Sequence, residues 1–123
     1  MNVTELDVYK LGFQFTLEIY KVTEKFPKSE LFGLTSQMRR AATSICANLA
    51  EGSGRGTTNE LKRFCALSKG TTEEVLFYLD LAKELKYLTE EDYFKLSSNA
   101  KIILKMLQSL INSLSRRSKN TYY

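Results

Sequence analysis

The 123-residue chain contains no histidine. That absence removes together the commonest general base, the commonest metal ligand and the usual physiological pH switch. Only two cysteines occur, Cys46 and Cys65, too few and too far apart for a CxxC zinc or redox motif. Six glycines and one proline exclude a collagenous or low-complexity chain, and 43% hydrophobic content argues against disorder. Long apolar stretches are missing too. The longest uncharged runs, Ala41–Ala50 and Met106–Ser115, are ten residues each, about half of what a bilayer span needs. The opening Met1-Asn2-Val3-Thr4-Glu5-Leu6-Asp7 has neither a basic nor an apolar leader region. These absences lead to the expectation of a cytoplasmic single domain that has no membrane segment, metal or cofactor and is not an enzyme.

What is present is helical periodicity. Apolar residues recur every three or four positions along four segments, about 5–25, 35–51, 58–85 and 90–114. The first carries two such rows: Leu6, Tyr9, Phe13, Leu17 and Tyr20, then Val8, Leu11, Phe15, Ile19 and Val22. Thr4 is its candidate N-cap, and Pro27 stops it because proline disfavours helical geometry at Phe26 and donates no backbone bond. The second segment has the row Leu34, Met38, Ala41, Ile45 and Leu49, with small Ala42, Ala47 and Ala50 permitting close approach, and it ends at the glycines of Gly52-Ser53-Gly54-Arg55. The third opens with Thr57-Thr58-Asn59-Glu60, a capping-box pattern, and points Leu61, Phe64, Leu67, Val75, Tyr78, Leu79 and Ala82 inward. Gly70 in its middle implies close packing or a bend. The fourth follows Thr89 and has the cleanest row, Leu96, Ala100, Ile103, Leu107, Leu110 and Leu114. Short connections make sequential helices antiparallel neighbours. The expected fold is all-α, an antiparallel up-down-up-down four-helix bundle without strands over residues 1–117, followed by a basic, frayed tail over 118–123.

Charge is unevenly distributed. The net +4 divides into −1 over residues 1–27, +4 over 28–70, −5 over 71–92 and +6 over 93–123, where no acidic residue occurs. Such blocks serve either complementarity between copies of the chain or a basic face for phosphate. Extra apolar rows on the first and third helices, and Phe77 among charged neighbours, point to a protein partner, with self-association the simplest candidate. Chemistry of other kinds finds no support. The glycine-rich Gly52–Gly56 stretch lacks the Lys-Ser/Thr of a phosphate-binding loop, and a turn is the better reading. Neither cysteine has a visible base, so both act as small apolar packing residues. They are nearly equidistant from the helix 2–3 turn, which leaves oxidation between them open.

One polar stripe on the second helix, Gln37, Arg40, Ser44, Asn48 and Glu51, is not explained by core periodicity. Bonds between residues four apart, with a Glu51–Arg55 contact closing the turn, account for it structurally. The functional alternative is one basic surface around the helix 2–3 hairpin, formed by Arg39, Arg40, Arg55, Lys62, Arg63 and Lys69 and assisted by Arg116, Arg117 and Lys119. Arginine forks match phosphate oxygens, and each such contact releases bound counterions.

The stretch Phe26-Pro27-Lys28-Ser29-Glu30, Gly33-Leu34-Thr35-Ser36-Gln37-Met38-Arg39-Arg40-Ala41-Ala42 and Ala47-Asn48-Leu49-Ala50-Glu51-Gly52-Ser53-Gly54-Arg55 resembles the bacterial four-helix-bundle family of proteins encoded in intervening sequences of 23S rRNA genes. The resemblance extends from Leu6-Asp7-Val8-Tyr9 to Lys86-Tyr87-Leu88. Departures are slight: Cys46 stands where proline or a small residue is usual, and Leu49 where isoleucine is usual. The resemblance implies a cytoplasmic, non-enzymatic bundle that forms homopentameric rings. It also implies a relation to the accessory subunit of diversity-generating retroelements, a basic barrel associated with reverse transcriptase and nucleic acid. Two functions follow as expectations. The first is a homo-oligomeric scaffold that binds RNA or other nucleic acid through its phosphates, without sequence-specific readout. The second is a protein-interaction scaffold, such as a partner of a reverse transcriptase, that does not touch nucleic acid.

Overall fold

The computed structural model describes residues 2–117, so Lys119 and the basic tail expected over 118–123 lie outside the described residues. Four helices carry the fold: α1 (Asp7–Thr23), α2 (Leu34–Gly54), α3 (Thr58–Glu84) and α4 (Glu90–Ser115). Single 3₁₀ turns, Val3–Glu5 and Lys28–Glu30, precede α1 and α2, and no strand occurs among the described residues. Each helix packs on its neighbours in the order α1–α2–α3–α4 and back to α1. Hence α1 and α3 sit on one diagonal of the bundle, and α2 and α4 on the other.

The helix starts follow side-chain chemistry. Thr57 accepts from the backbone N of Glu60 at 3.2 Å, and Thr89 accepts from that of Asp92 at 3.0 Å, each satisfying a donor that the first turn leaves orphaned. Glu90, Glu91 and Asp92 then lie at the positive end of the α4 dipole. α1 starts differently. Thr4 falls within the 3₁₀ turn, where Asn2 accepts from its backbone N, and α1 follows an extended Leu6 with no side-chain cap. α3 ends in a Schellman closure, with Tyr87 N donating to Ala82 O and Lys86 N to Lys83 O, both at 2.9 Å. Lys86 adopts φ 64° there.

The core is built from the rows read in the sequence, with corrections. Val8, Phe15, Ile19 and Val22 of α1 are buried against Met38, Ala42, Ile45 and Leu49 of α2, Leu61, Val75 and Leu79 of α3, and Leu96, Ala100, Ile103, Leu107 and Leu114 of α4. Leu110 is only half-buried. Leu67 does not point inward; it is 46% exposed, because it lies about 100° around α3 from the buried Ser68. Ala47 and Ala50 are exposed, and of the small residues only Ala42 meets the core. Buried hydroxyls tie helices together: Ser68 of α3 donates to Ile45 O of α2 at 2.9 Å.

Two glycines on α2 and α3 have opposite meanings. α2 continues through Gly52 and Gly54, and the turn falls instead on Gly56, whose φ of 87° favours glycine. Gly52 is needed for close approach: a Cβ there would meet Phe64 Cβ at 2.6 Å and Leu61 Cα at 3.2 Å. At Gly70 a Cβ would meet nothing within 4 Å. Close packing within the bundle is therefore not the reason for that glycine.

Candidate nucleic-acid interface

The antiparallel order assigns the candidate cations to two ends of the bundle. α2 begins at one end and turns into α3 at the other, where α4 also finishes. Arg39 and Arg40 belong to the first end; Arg55, Lys62, Arg63, Arg116 and Arg117 belong to the second. Arg55, the C-cap of α2, lies sixteen positions after Arg39, about 24 Å along the axis. The hairpin cations therefore do not meet in one place.

Local partners separate them further. Arg39 turns toward α1: its Nε donates to Thr23 Oγ1 at 2.8 Å and its Nη2 to Tyr20 O at 3.3 Å. Its guanidinium lies over the Tyr20 ring, 4.7 Å from the centroid. A cation at the carbonyl end of α1 also complements the helix dipole. Arg55 pairs with Glu51 at 3.0 Å and reaches Glu60 at 3.9 Å, while Arg63 pairs with Glu60 at 3.0 Å. Both guanidinium groups lie over the Phe64 ring, at 5.0 and 4.6 Å. Lys69 reaches across to α4 and donates to Gln108 Oε1 at 2.6 Å. Arg40, Lys62, Arg116 and Arg117 have no ion-pair partner among the described residues.

The polar stripe of α2 has the same mixed character. Glu51 makes the Arg55 contact, and Ser44 donates back to Arg40 O at 2.9 Å. Gln37 sits 3.5 Å from the Tyr78 hydroxyl of α3. Arg40, Gln37 and Glu51 are exposed, while Ser44 and Asn48 are half-buried.

Sequence periodicity missed the role of the connection before α2. Glu30 is its keystone. One carboxylate oxygen accepts from Leu34 N at 3.1 Å, and the other accepts from the Tyr87 hydroxyl at 3.0 Å. The Phe26 and Tyr87 rings pack 5.3 Å apart beside this link. A Cβ at Gly33 would come within 2.7 Å of Glu30 Oε1, so a side chain there would displace the carboxylate from this position. The Glu30 bond raises the pKa of the Tyr87 phenol above its ordinary value, because the neutral hydroxyl is the donor. Within this pinned connection Phe32 stands 92% exposed. Its signal in the sequence was an aromatic residue between a 3₁₀ turn and a helix, outside any periodic row.

Outward apolar rows are the other prominent surface feature. On α1, Phe13, Leu17 and Tyr20 are 50%, 51% and 42% exposed. At about 100° per residue they project from the side opposite Phe15 and Ile19. On α3, Phe77 is 59% exposed, flanked by Leu81 at 38%, with Gly70 on the same outward side. Tyr9, Phe13, Leu17, Thr43, Cys46, Ala47 and Ala50 line a mainly apolar groove of about 260 Å³ between α1 and α2.

Cys46 and Cys65 are free and buried. Cys46 faces α1, its thiol 3.3 Å from Tyr9 O. Burial pushes the Cys46 thiol up to about 11 and the Cys65 thiol up to about 12, the reverse of an activated nucleophile. No group of three or more potential ligand residues able to hold a metal ion occurs among the described residues. No helix among them is long and apolar enough to cross a membrane.

These features define an antiparallel four-helix bundle with cationic residues at both ends and apolar rows turned away from its core. The profile of 23S rRNA-intervening sequence proteins matches residues 4–109, and the chain belongs to that family. A crystal structure of a protein of unknown function from the S23 ribosomal protein family of Bacteroides thetaiotaomicron shares the fold, with a TM-score of 0.76 and 24% identity over 85% of this chain and 97% of that one. No curated protein matches.

Proposed function

We infer that the protein is a non-enzymatic, cytoplasmic scaffold that assembles with further copies of itself and holds RNA or other nucleic acid through phosphate contacts. The observation that carries this reading is the pair of apolar rows left over by a completed core, one on α1 and one on α3. Burying a side chain of this size contributes about 1.5–3 kcal/mol relative to leaving it exposed. The rows lie on diagonal helices: the α1 row leans toward α2 along the groove it lines, and the α3 row faces away from the core. They also differ in charge: Lys10, Lys21 and Glu24 accompany the α1 row, a mixed set, whereas the acidic Glu73, Glu74, Asp80 and Glu84 accompany the α3 row. Two unlike apolar faces that bury one another favour head-to-tail association, which closes into a ring when the rotation permits. The homopentamer implied by the family resemblance is one such ring, with five times the +4 of a single chain, a field that concentrates polyanions. Arg40, Lys62, Arg116 and Arg117 lead the phosphate contacts. Arg39, Arg55, Arg63 and Lys69 support them from within their own bonds, and Lys119 belongs to the same set.

The second reading, a scaffold for another protein such as a reverse transcriptase, is favoured by Phe77 within the acidic stretch 71–92. One experiment separates the two. Light scattering gives the subunit number, and RNA retention is measured at low and high salt for the native chain and for Arg40→Glu combined with Arg116→Glu and Arg117→Glu. A multi-subunit species, RNA affinity that falls steeply with salt, and loss of RNA without loss of assembly are expected. A monomer removes the assembly reading, and salt-independent or absent RNA binding removes the phosphate reading.

A further inference from the structure

We propose that the concavity around Phe32, Arg39 and Arg40 takes an unpaired nucleobase with its adjoining phosphate, so that the protein holds single strands in preference to duplex. This rests on the phosphate-binding reading above and narrows it to one site and one form of nucleic acid.

Tyr20, Leu31, Phe32, Thr35, Ser36, Arg39 and Arg40 line an open surface concavity of about 430 Å³. Phe32 is 92% exposed at its rim. It is not on a loose loop. The connection that carries it is closed by backbone bonds from Leu31 N to Lys28 O at 3.1 Å and from Gly33 N to Glu30 O at 2.9 Å. The Glu30 carboxylate then clamps it to α2 and to Tyr87. A backbone held in this way adds little ordering cost when something stacks on the exposed ring.

The cations suit the same ligand. The Arg39 guanidinium lies over the Tyr20 ring, 4.7 Å from its centroid, and is braced by Thr23, so a second cation stands at the same place. Arg40 is exposed and free of ion pairs among the described residues, so its fork is available to a phosphate. Glu30, held by its two neutral donors, makes no ion pair with Arg40. Aromatic faces interleaved with arginine are how sequence-tolerant single-strand sites work, since every base has a π-face. Bases inside a duplex are already stacked and cannot reach Phe32. The cations at the α2–α3 turn lack this feature: the Phe64 ring there is buried and covered by Arg55 and Arg63.

The test uses the full chain, a fluorescent oligouridylate, the same strand annealed to its complement, and inorganic polyphosphate as a baseless polyanion. The native protein is expected to bind the single strand more tightly than the duplex. Phe32→Ala is expected to weaken the single strand about five- to a hundredfold and to leave duplex and polyphosphate binding unchanged. Phe32→Tyr should restore the loss. Phe32 makes no core contact, so folding is preserved, which circular dichroism verifies. Unchanged or equal loss for both nucleic acids on Phe32→Ala overturns the proposal while leaving phosphate binding standing. A native protein that binds neither overturns both. A changed subunit number for Phe32→Ala in light scattering also overturns the site, because the ring then serves a contact with a second copy.

Discussion

Replacing Gly52 and Gly70 by alanine, one at a time, tests the packing logic most directly, because the same chemical change is expected to act in opposite directions. Both glycines are helical, so each gains about 1 kcal/mol of helix propensity on becoming alanine. At Gly70 nothing opposes that gain, since the new methyl meets no atom within 4 Å. At Gly52 the methyl would lie 2.6 Å from Phe64 Cβ and 3.2 Å from Leu61 Cα. Carbon atoms settle at about 3.5–4.0 Å, so α2 and α3 must separate by close to 1 Å beside their own turn. Neither obstacle is the end of a flexible side chain. Overpacking of this kind costs about 1–3 kcal/mol, occasionally more. Set against the helix-propensity gain, a net loss of up to about 2 kcal/mol is expected for Gly52→Ala, lowering Tm by up to roughly 8 °C in a domain of this size. Gly70→Ala should raise it by about 2–4 °C. Thermal melts by circular dichroism at one protein concentration measure both, holding assembly constant. A Gly52→Ala protein stabilised as much as Gly70→Ala refutes the close approach of α2 and α3. A destabilised Gly70→Ala protein means that a second chain packs on that glycine.

Two further outcomes follow from side chains already described. Glu30→Ala removes both the bond to Leu34 N and the bond from Tyr87, a loss of about 1–2 kcal/mol; a chemical-denaturation curve measures it, and the Tyr87 phenol should titrate at lower pH by tyrosinate absorbance. The thiols act at the other end of the scale. Their folded pKa values of about 11 and 12 stand above the ordinary 9.0, so the folded chain keeps protons that the unfolded chain releases. Their stabilisation is complete below about pH 9 and declines through pH 11, at roughly 1 kcal/mol per pH unit for each thiol. Cys65→Ala should flatten that decline; an equally steep decline in the variant removes the thiol as its source.

Much of the fold was legible because helical rows and caps are local signals. Thr57 with Glu60, Thr89 with its acidic first turn, and the α4 row from Leu96 to Leu114 needed no tertiary information. The α1 rows were legible as a pair, but which one faces the core depends on where α2 and α4 lie. Leu67 was misplaced for the same reason: its hydrophobicity gives no direction, and only the buried Ser68 beside it fixes the rotation of α3. α2 ran past Gly52 because glycine there serves contact with Phe64 and does not break the helix. For the cations, charge was visible and engagement was not. Nothing in the sequence says that Arg39 is spent on Thr23 and Tyr20 while its neighbour Arg40 is left open. Phe32 went unremarked because an aromatic residue in a connection belongs to no repeat.

The diagonal placement of the α1 and α3 apolar rows makes each molecule directional, with a front and a back that are not alike. A copy whose Phe13 and Leu17 are replaced by glutamate keeps its back, and one whose Phe77 and Leu81 are replaced keeps its front. Mixed together, the two kinds can join once and then stop, so either one added to the native chain works as a terminator. Under the proposed head-to-tail assembly, two crippled forms would thus yield a discrete pair where the native chain would build something larger.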